Sequence, residues 1–215
     1  SVKKDLMARK FTDMRVVRLE DRVWEREWLN RFQPMRFGDQ LWVCPSGFES
    51  PEGTVIKMDP GLAFGTGTHA TTRLCLEYLD GLVVDGYSVL DYGCGSGVLG
   101  IGAALKGSTS VLAVDNDPQA LKATLDNAER NDVNVKVAMP GISIEPVDLV
   151  FANILAGPLV ALSSTLLAAT RTDGYLVLSG IMSSQKEWLL EAYEKGGELI
   201  DLVELDGWVR LVWRC

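Results

Sequence analysis

From Tyr87 onward, short apolar runs alternate along the chain with stretches in which apolar residues recur at helical spacing. The runs predict strands near 87–92, 110–115, 134–138, 147–152 and 174–180. The stretches between them predict helices near 97–106, 117–130, 157–170 and 184–195. Asp117-Pro118 marks one helix start, with a side-chain oxygen for the unpaired amides and a proline tolerated in the first turn. Strands that alternate with helices make a parallel sheet covered on both faces. The end of the chain breaks that rhythm. Segments 199–205 and 208–213 flank Asp206-Gly207, a hairpin turn signal, so the sheet is expected to finish antiparallel.

Ahead of Tyr87 the pattern is less regular. Val23, Trp24, Trp28 and Phe32 fall at helical spacing over 20–32, and Pro34 ends that helix. Residues 14–19 alternate, as a strand or linker would. A turn at Gly38-Asp39 joins short strands at 35–37 and 41–44, loop 45–53 follows, and 54–58 reads as another strand. A helix is predicted over 71–81. We therefore expect a linker and packing segment over 1–50 and an α/β domain over 51–215, within the size of one large domain or one domain plus an appendage.

One strand–loop–helix–strand unit carries the most chemistry. Val89-Leu90-Asp91-Tyr92 runs into Gly93-Cys94-Gly95-Ser96-Gly97, and the next apolar run, 111–114, ends in Asp115. Alternating glycines let the backbone press against a ligand, because no Cβ intervenes. A carboxylate closing the following strand is placed to grip a ribose, so the unit points to an adenosine-containing cofactor. Two spacings compete. Gly95, Gly97 and Gly100 satisfy G-x-G-x-x-G, with Asp115 twenty residues after Gly95, as in dinucleotide-binding proteins. From Gly93 the same residues read D-x-G-x-G-x-G, the S-adenosylmethionine pattern of seven-stranded methyltransferases. Asp91 favours the second spacing: a carboxylate suits a ligand bearing an ammonium and a sulfonium and repels a pyrophosphate. The terminal hairpin favours it too. A bare tight turn is the third reading.

Two further segments lie beside this unit in the pattern. Residues 59–72 form a loop of glycines and threonines leading into a helix, as a mobile lid over a ligand would. Phe64 can stack on an adenine or cover the methionine portion of a cofactor. Thr72, near the helix start, can turn its hydroxyl to a carboxylate that the helix N-terminus also favours. His69, the chain's one histidine, is either held structurally or functional in that loop. Residues 148–153 form a buried strand ending in Asn153, at the edge where open α/β sheets bind ligands. An amide there can accept a hydrogen bond from an amine and donate to a neighbour without holding charge. Amine methylation needs this, since the nitrogen must aim its lone pair at the methyl.

Composition narrows the setting. A formal net charge of −8 argues against a general nucleic-acid surface. Cys44, Cys75, Cys94 and Cys215 form no C-x-x-C pair, which disfavours zinc and suits reduced thiols. The apolar stretch over 154–169 is too short and too interrupted to span a bilayer, and Ser1-Val2-Lys3-Lys4-Asp5 is unlike a signal peptide. The expected compartment is the cytoplasm, with no membrane contact and a monomeric state.

Asp59-Pro-Gly-Leu-Ala-Phe-Gly-Thr-Gly-Thr-His69, Asp91-Tyr-Gly-Cys-Gly-Ser-Gly97 and Asn153-Ile-Leu-Ala-Gly-Pro-Leu159 resemble the PrmA family. Trp24-Glu-Arg-Glu-Trp28, Phe32-Gln-Pro34 and Cys44-Pro-Ser46 resemble the segment before its catalytic domain. The resemblance implies a class I, Rossmann-like methyltransferase: a doubly wound, seven-stranded, mostly parallel sheet ending in an antiparallel hairpin. It implies cofactor contacts at Thr72, Gly93, Asp115 and Asn153, beside those that the residues themselves suggest at Phe64, Asp91 and Gly95. It further implies methyl transfer from S-adenosylmethionine to lysine ε-amines and the N-terminal α-amine of the eleventh large-subunit ribosomal protein, with S-adenosylhomocysteine as product and Asn153 orienting the amine. Two departures stand out. Ala70 replaces a usual proline, and the family's front substrate-recognition domain is expected to be absent ahead of residue 15. A small-molecule or other-protein amine methyltransferase and a non-catalytic S-adenosylmethionine-binding protein share the cofactor motifs.

Overall fold

The computed structural model describes residues 33–59 and 67–215, and the chain divides between Phe32 and Gln33. The helix expected over 20–32, the patch at 14–19, and residues 60–66 of the 59–72 loop, Phe64 among them, lie outside the described residues. Three short strands come first: β1 (Met35–Phe37), β2 (Leu41–Cys44) and β3 (Thr54–Lys57). β1 and β2 pair antiparallel around Gly38, and β2 and β3 pair parallel. Helix α1 (Ala70–Gly81) leads to the main unit: β4 (Ser88–Tyr92), α2 (Val98–Leu105), β5 (Ser110–Val114), α3 (Pro118–Arg130), β6 (Lys136–Ala138) and β7 (Val147–Asn153). Short helices α4 (Ala156–Ala161) and α5 (Ser163–Ala168) precede β8 (Thr170–Met182). Then come a 3₁₀ turn at Ser183–Gln185, α6 (Lys186–Ala192), β9 (Glu198–Leu205) and β10 (Trp208–Arg214).

The seven-stranded sheet runs β6-β5-β4-β7-β8-β10-β9, parallel through β8 and antiparallel at the hairpin. The expected α/β fold is present. Successive side chains of a strand point to opposite faces, and β7 shows the consequence: Leu149 and Phe151 enter one core, Val150 and Ala152 the other. On the first face Leu76 and Leu79 of α1 and Ile101 of α2 meet Phe37, Leu41 and Ile56 of the small sheet. On the second, Leu159, Leu166 and Leu189 of α4, α5 and α6 cover the strands, and the buried Tyr193 hydroxyl donates to the Leu159 carbonyl at 2.7 Å.

Three boundaries differ from the periodicity. The helix expected over 157–170 is two, joined at Leu162, with the Ser163-Ser164-Thr165 run, poor in helix formers, in the first turn of the second. β8 begins at Thr170 rather than 174. A register shift and Asp173 in the left-handed region (φ 64) let the strand continue through what reads locally as a turn. The last helix covers Lys186–Ala192, preceded by the 3₁₀ turn and followed by Gly196-Gly197, the second at φ 116.

The small sheet is tied to the large one by a side chain. Asn131, buried after α3, accepts from the Lys57 amide at 2.7 Å and donates to the Lys57 and Asn127 carbonyls, each at 2.8 Å. Two residues on, Asp59 accepts from the Ser46 amide and hydroxyl at 2.6 and 2.8 Å. Asn131→Ala strands buried backbone groups, so it should lower unfolding free energy by about 1–3 kcal/mol. Urea denaturation checks this, and a loss below about 0.5 kcal/mol would mean that the clamp is dispensable.

Candidate cofactor and acceptor site

The chain leaves β4 for β5 and β6 on one side, then crosses back to place β7 on the other. At such a reversal the loops after two neighbouring strands diverge and leave a crevice at their carboxyl ends. A cavity of about 410 Å³ occupies it. Thr72, Asp91, Gly93, Gly95, Asp115 and Asn153 all line it, so the described residues singled out from the sequence converge on one place. Pro140, Ile154, Leu155, Pro158 and Leu162 add an apolar side.

The glycine loop is bent by its own hydrogen bonds. The amides of Gly93 and Cys94 both donate to the Val114 carbonyl, at 2.7 and 3.1 Å, which requires the left-handed backbone of Gly93 (φ 76). From behind, the Thr124 hydroxyl donates to the Gly95 carbonyl at 3.1 Å and the Asn127 amide to the Ser96 carbonyl at 2.9 Å. The loop motif alone contains no signal for these two bracing residues of α3. They are visible only once that helix lies against the loop.

The two carboxylates differ in surroundings. Asp115 is half-buried: Oδ2 accepts from the Gly95 amide and Oδ1 from the Asp117 amide, both at 3.0 Å. Each oxygen retains acceptor capacity, so an oriented carboxylate faces the cavity where ribose hydroxyls would lie. Asp91 is 1% exposed, and its Oδ2 accepts from the Gly100 amide at 2.9 Å, in the first turn of α2. Burial pushes its pKa up to about 7, helped by the nearby Asp115 charge and opposed by the Gly100 hydrogen bond. A cationic ligand group would stabilise the ionised form.

On the opposite wall, the Asn153 side-chain amide donates to the Thr72 hydroxyl at 3.4 Å. The buried Thr72 hydroxyl thereby keeps its own proton to offer to a carboxylate. His69 caps α1: its Nδ1 accepts from the Thr71 amide at 3.3 Å and lies 2.8 Å from the Thr71 hydroxyl. Since an amide can only donate, Nδ1 is an acceptor and a neutral ring carries its proton on Nε2. The ring also meets Trp208 edge-on at 4.8 Å. These contacts support the structural reading of His69. Among the described residues no cluster of His, Cys, Asp and Glu could hold a metal. Burial pushes the Cys94 thiol up to about 12, so it is no nucleophile at neutral pH.

The residues fit S-adenosylmethionine. The left-handed Gly93 and Gly95 bend the loop along the cavity wall, Asp115 suits the ribose, and Asp91 lies where positive charge is favoured.

Asp115→Ala should weaken S-adenosylhomocysteine binding by about 1.5–3 kcal/mol per lost charged hydrogen bond, roughly 10- to 150-fold. Calorimetry giving the parent's affinity would remove Asp115 from the site. Asp91 makes a separate prediction. The folded protein keeps the Asp91 proton to about pH 7, whereas an ordinary aspartate loses it near 3.8. Folding therefore binds a proton across that window, and stability conferred at low pH is lost as pH rises through about 7. Asp91→Asn should flatten this fall, read as urea midpoints at about pH 5 and 8; identical pH profiles for variant and parent would refute it.

The family described as Ribosomal protein L11 methyltransferase (PrmA) matches residues 2–215. A ribosomal protein L11 methyltransferase of Methylococcus capsulatus is 54% identical over 199 residues, 90% of this chain and 68% of the relative. One from Marinomonas is 45% identical over 206 residues, 93% of this chain and 70% of the relative. The crystal structure of ribosomal protein L11 methylase from Lactobacillus delbrueckii superposes with TM-score 0.75 at 29% identity, covering 85% of this chain and 99% of that one. A 16S rRNA methyltransferase of T. Thermophilus, in complex with AdoMet and guanosine, shares the fold at TM-score 0.58 and 19% identity, over 71% of this chain and 45% of that one. The chain belongs to the ribosomal protein L11 methyltransferase (PrmA) family.

Proposed function

We propose that this S-adenosylmethionine-dependent methyltransferase transfers methyl groups to lysine ε-amines and the N-terminal α-amine of ribosomal protein L11. The observation that carries the acceptor assignment is Asn153. It ends β7 in the same cavity as Gly93 and Asp115, with its amide nitrogen turned to Thr72. That leaves Oδ1 to accept an N–H from the incoming amine. The working compartment in this reading is the cytoplasm, which suits four free thiols. Among the described residues no helix is long and apolar enough to cross a membrane.

The cofactor supplies, when bound, a methyl group already activated on a positively charged sulfur. The chain's work is therefore to hold and align. Asp115 grips the ribose, the Asp91 end of the cavity favours the ammonium, and Thr72 with the start of α1 meets the carboxylate. The acceptor nitrogen reacts through its lone pair and must arrive neutral. For a lysine of pKa about 10.4, neutralisation at pH 7 costs roughly 4–5 kcal/mol, and for an α-amine about 1 kcal/mol. Ile154, Leu155, Pro158 and Leu162 form an apolar wall that disfavours the ammonium and recovers part of that cost. Water takes the proton before the amine enters. Asn153 Oδ1 and the Ile154 carbonyl then hold the N–H groups so that the lone pair faces the methyl. As the N–C bond forms the S–C bond breaks, and the methylated ammonium releases its second proton to solvent.

Mass spectrometry of ribosomal protein L11 incubated with the chain and S-adenosylmethionine tests this reading. Methyl groups on lysines and the N-terminus are expected. Transfer to free amines but not to the protein would favour the small-molecule alternative, and cofactor binding without any transfer would favour the non-catalytic one. Asn153→Ala should lower single-turnover rate roughly 10- to 100-fold while S-adenosylhomocysteine affinity stays within about threefold. A parent-like rate would take Asn153 out of the mechanism.

A further inference from the structure

Ile154, the first residue past β7, is seated between two glycines, Gly93 just past β4 and Gly180 on β8. Toward β4, its Cγ2 occupies the space in front of Gly93, where an added Cβ would lie 2.1 Å away. Toward β8, a Cβ on Gly180 would stand 2.1 Å from the Ile154 carbonyl oxygen, 2.6 Å from its carbonyl carbon and 3.0 Å from its nitrogen. The second obstruction is the more telling. It is backbone, which cannot swing aside as a side chain does, and Gly180 is itself in the left-handed region at φ 85. β8 is firmly placed there, since Asn153 pairs with Ser179 and the buried Ser179 hydroxyl donates to the Val209 carbonyl at 3.0 Å.

We propose that Gly180 is a positioning residue for methyl transfer. Its missing side chain lets the Ile154 peptide settle onto β8 while the Ile154 side chain rests over the cofactor loop. The wedge sets the height of Asn153 and the Ile154 carbonyl relative to Gly93, and with it the line along which the acceptor nitrogen meets the methyl. This rests on the amine methyltransferase reading above. An ordinary contact at Gly180 would require the 153–155 turn to move by roughly 1 Å, a misplacement that can cost about a hundredfold in rate.

The test is Gly180→Ala in the whole chain beside Gly86→Ala, a control at φ 81 with nothing within 4 Å of its added Cβ. Gly180→Ala should lower kcat on ribosomal protein L11 by roughly 10- to 100-fold, with KM and S-adenosylhomocysteine affinity within about threefold of the parent. Its crystal structure should show Ile154 shifted away from β8. Gly86→Ala should keep the parent's kinetics. A parent-like kcat for Gly180→Ala, or a loss of cofactor affinity as large as the loss of rate, would overturn the proposal. Should that variant fail to fold, Ile154→Ala decides. It trims the wedge without straining the backbone and should show the same kcat-selective loss, so a parent-like kcat would overturn the proposal. A parent chain that methylates nothing overturns the functional reading, whereas a Gly180→Ala structure with Ile154 unmoved overturns this inference alone.

Discussion

The parallel pairing of β4 with β5 on one side and β7 on the other governs where every functional side chain ends up. Asp91 and Tyr92 pair with Ala113 and Val114 across one boundary, and with Phe151 and Ala152 across the other. The three strands therefore end at nearly the same level. Gly93, Asp115 and Asn153, the next residue after each register or its close neighbour, emerge side by side on one edge. Without both pairings the glycine loop would have no Val114 carbonyl to fold onto. Asn153 would likewise not stand beside the Thr72 hydroxyl.

That edge is electrostatically uneven, and the unevenness matches the chemistry. One side carries Asp91 and Asp115, the other is apolar apart from Asn153 and Thr72. A cationic cofactor is favoured on the acidic side, and a neutral amine is favoured on the apolar one. Placing a carboxyl as deep as Asp91 is unfavourable when it is ionised, and its hydrogen bond to Gly100 offsets only part of that. Asp115 avoids the problem by remaining half-buried, with two backbone amides holding it in orientation. Two acids twenty-four positions apart in the chain thus sit at different depths beside one cavity.

Close packing carries information across the strands at this edge. Ile154 fills the space that Gly93 and Gly180 leave, so the cofactor loop, the acceptor turn and β8 share one contact. The small β1–β3 sheet is joined to the same body through Asn131, which places Asp59 and the Ser46 loop against α3. His69 and Trp208 connect the start of α1 to the terminal hairpin. Each link is a single side chain meeting backbone or ring from a distant part of the chain.

Much of this was legible in the residues. Apolar runs alternating with helical periodicity specified the doubly wound sheet, because strands buried on both faces must be continuously apolar. Asp206-Gly207 specified the antiparallel ending, because positive φ at both positions makes a tight hairpin (φ 50 and 76). Gly93, Gly95, Asp115 and Asn153 were identifiable because glycines in a strand-to-helix turn and polar residues that close apolar strands are set by strand ends and local spacing. Depth and distant contact were not legible. Burial of Asp91 against Gly100, bracing of the loop by Thr124 and Asn127, the capping role of His69 and the fit of Ile154 onto Gly180 all join residues whose proximity is created only when the strands pair. The register shift that extends β8 through Asp173 was equally hidden, since local turn chemistry and a bulge read alike until a neighbouring strand supplies the hydrogen bonds. Sequence by itself determined the elements and the chemistry at their ends; tertiary structure alone decided depth, bracing and alignment, because these depend on which strands become neighbours.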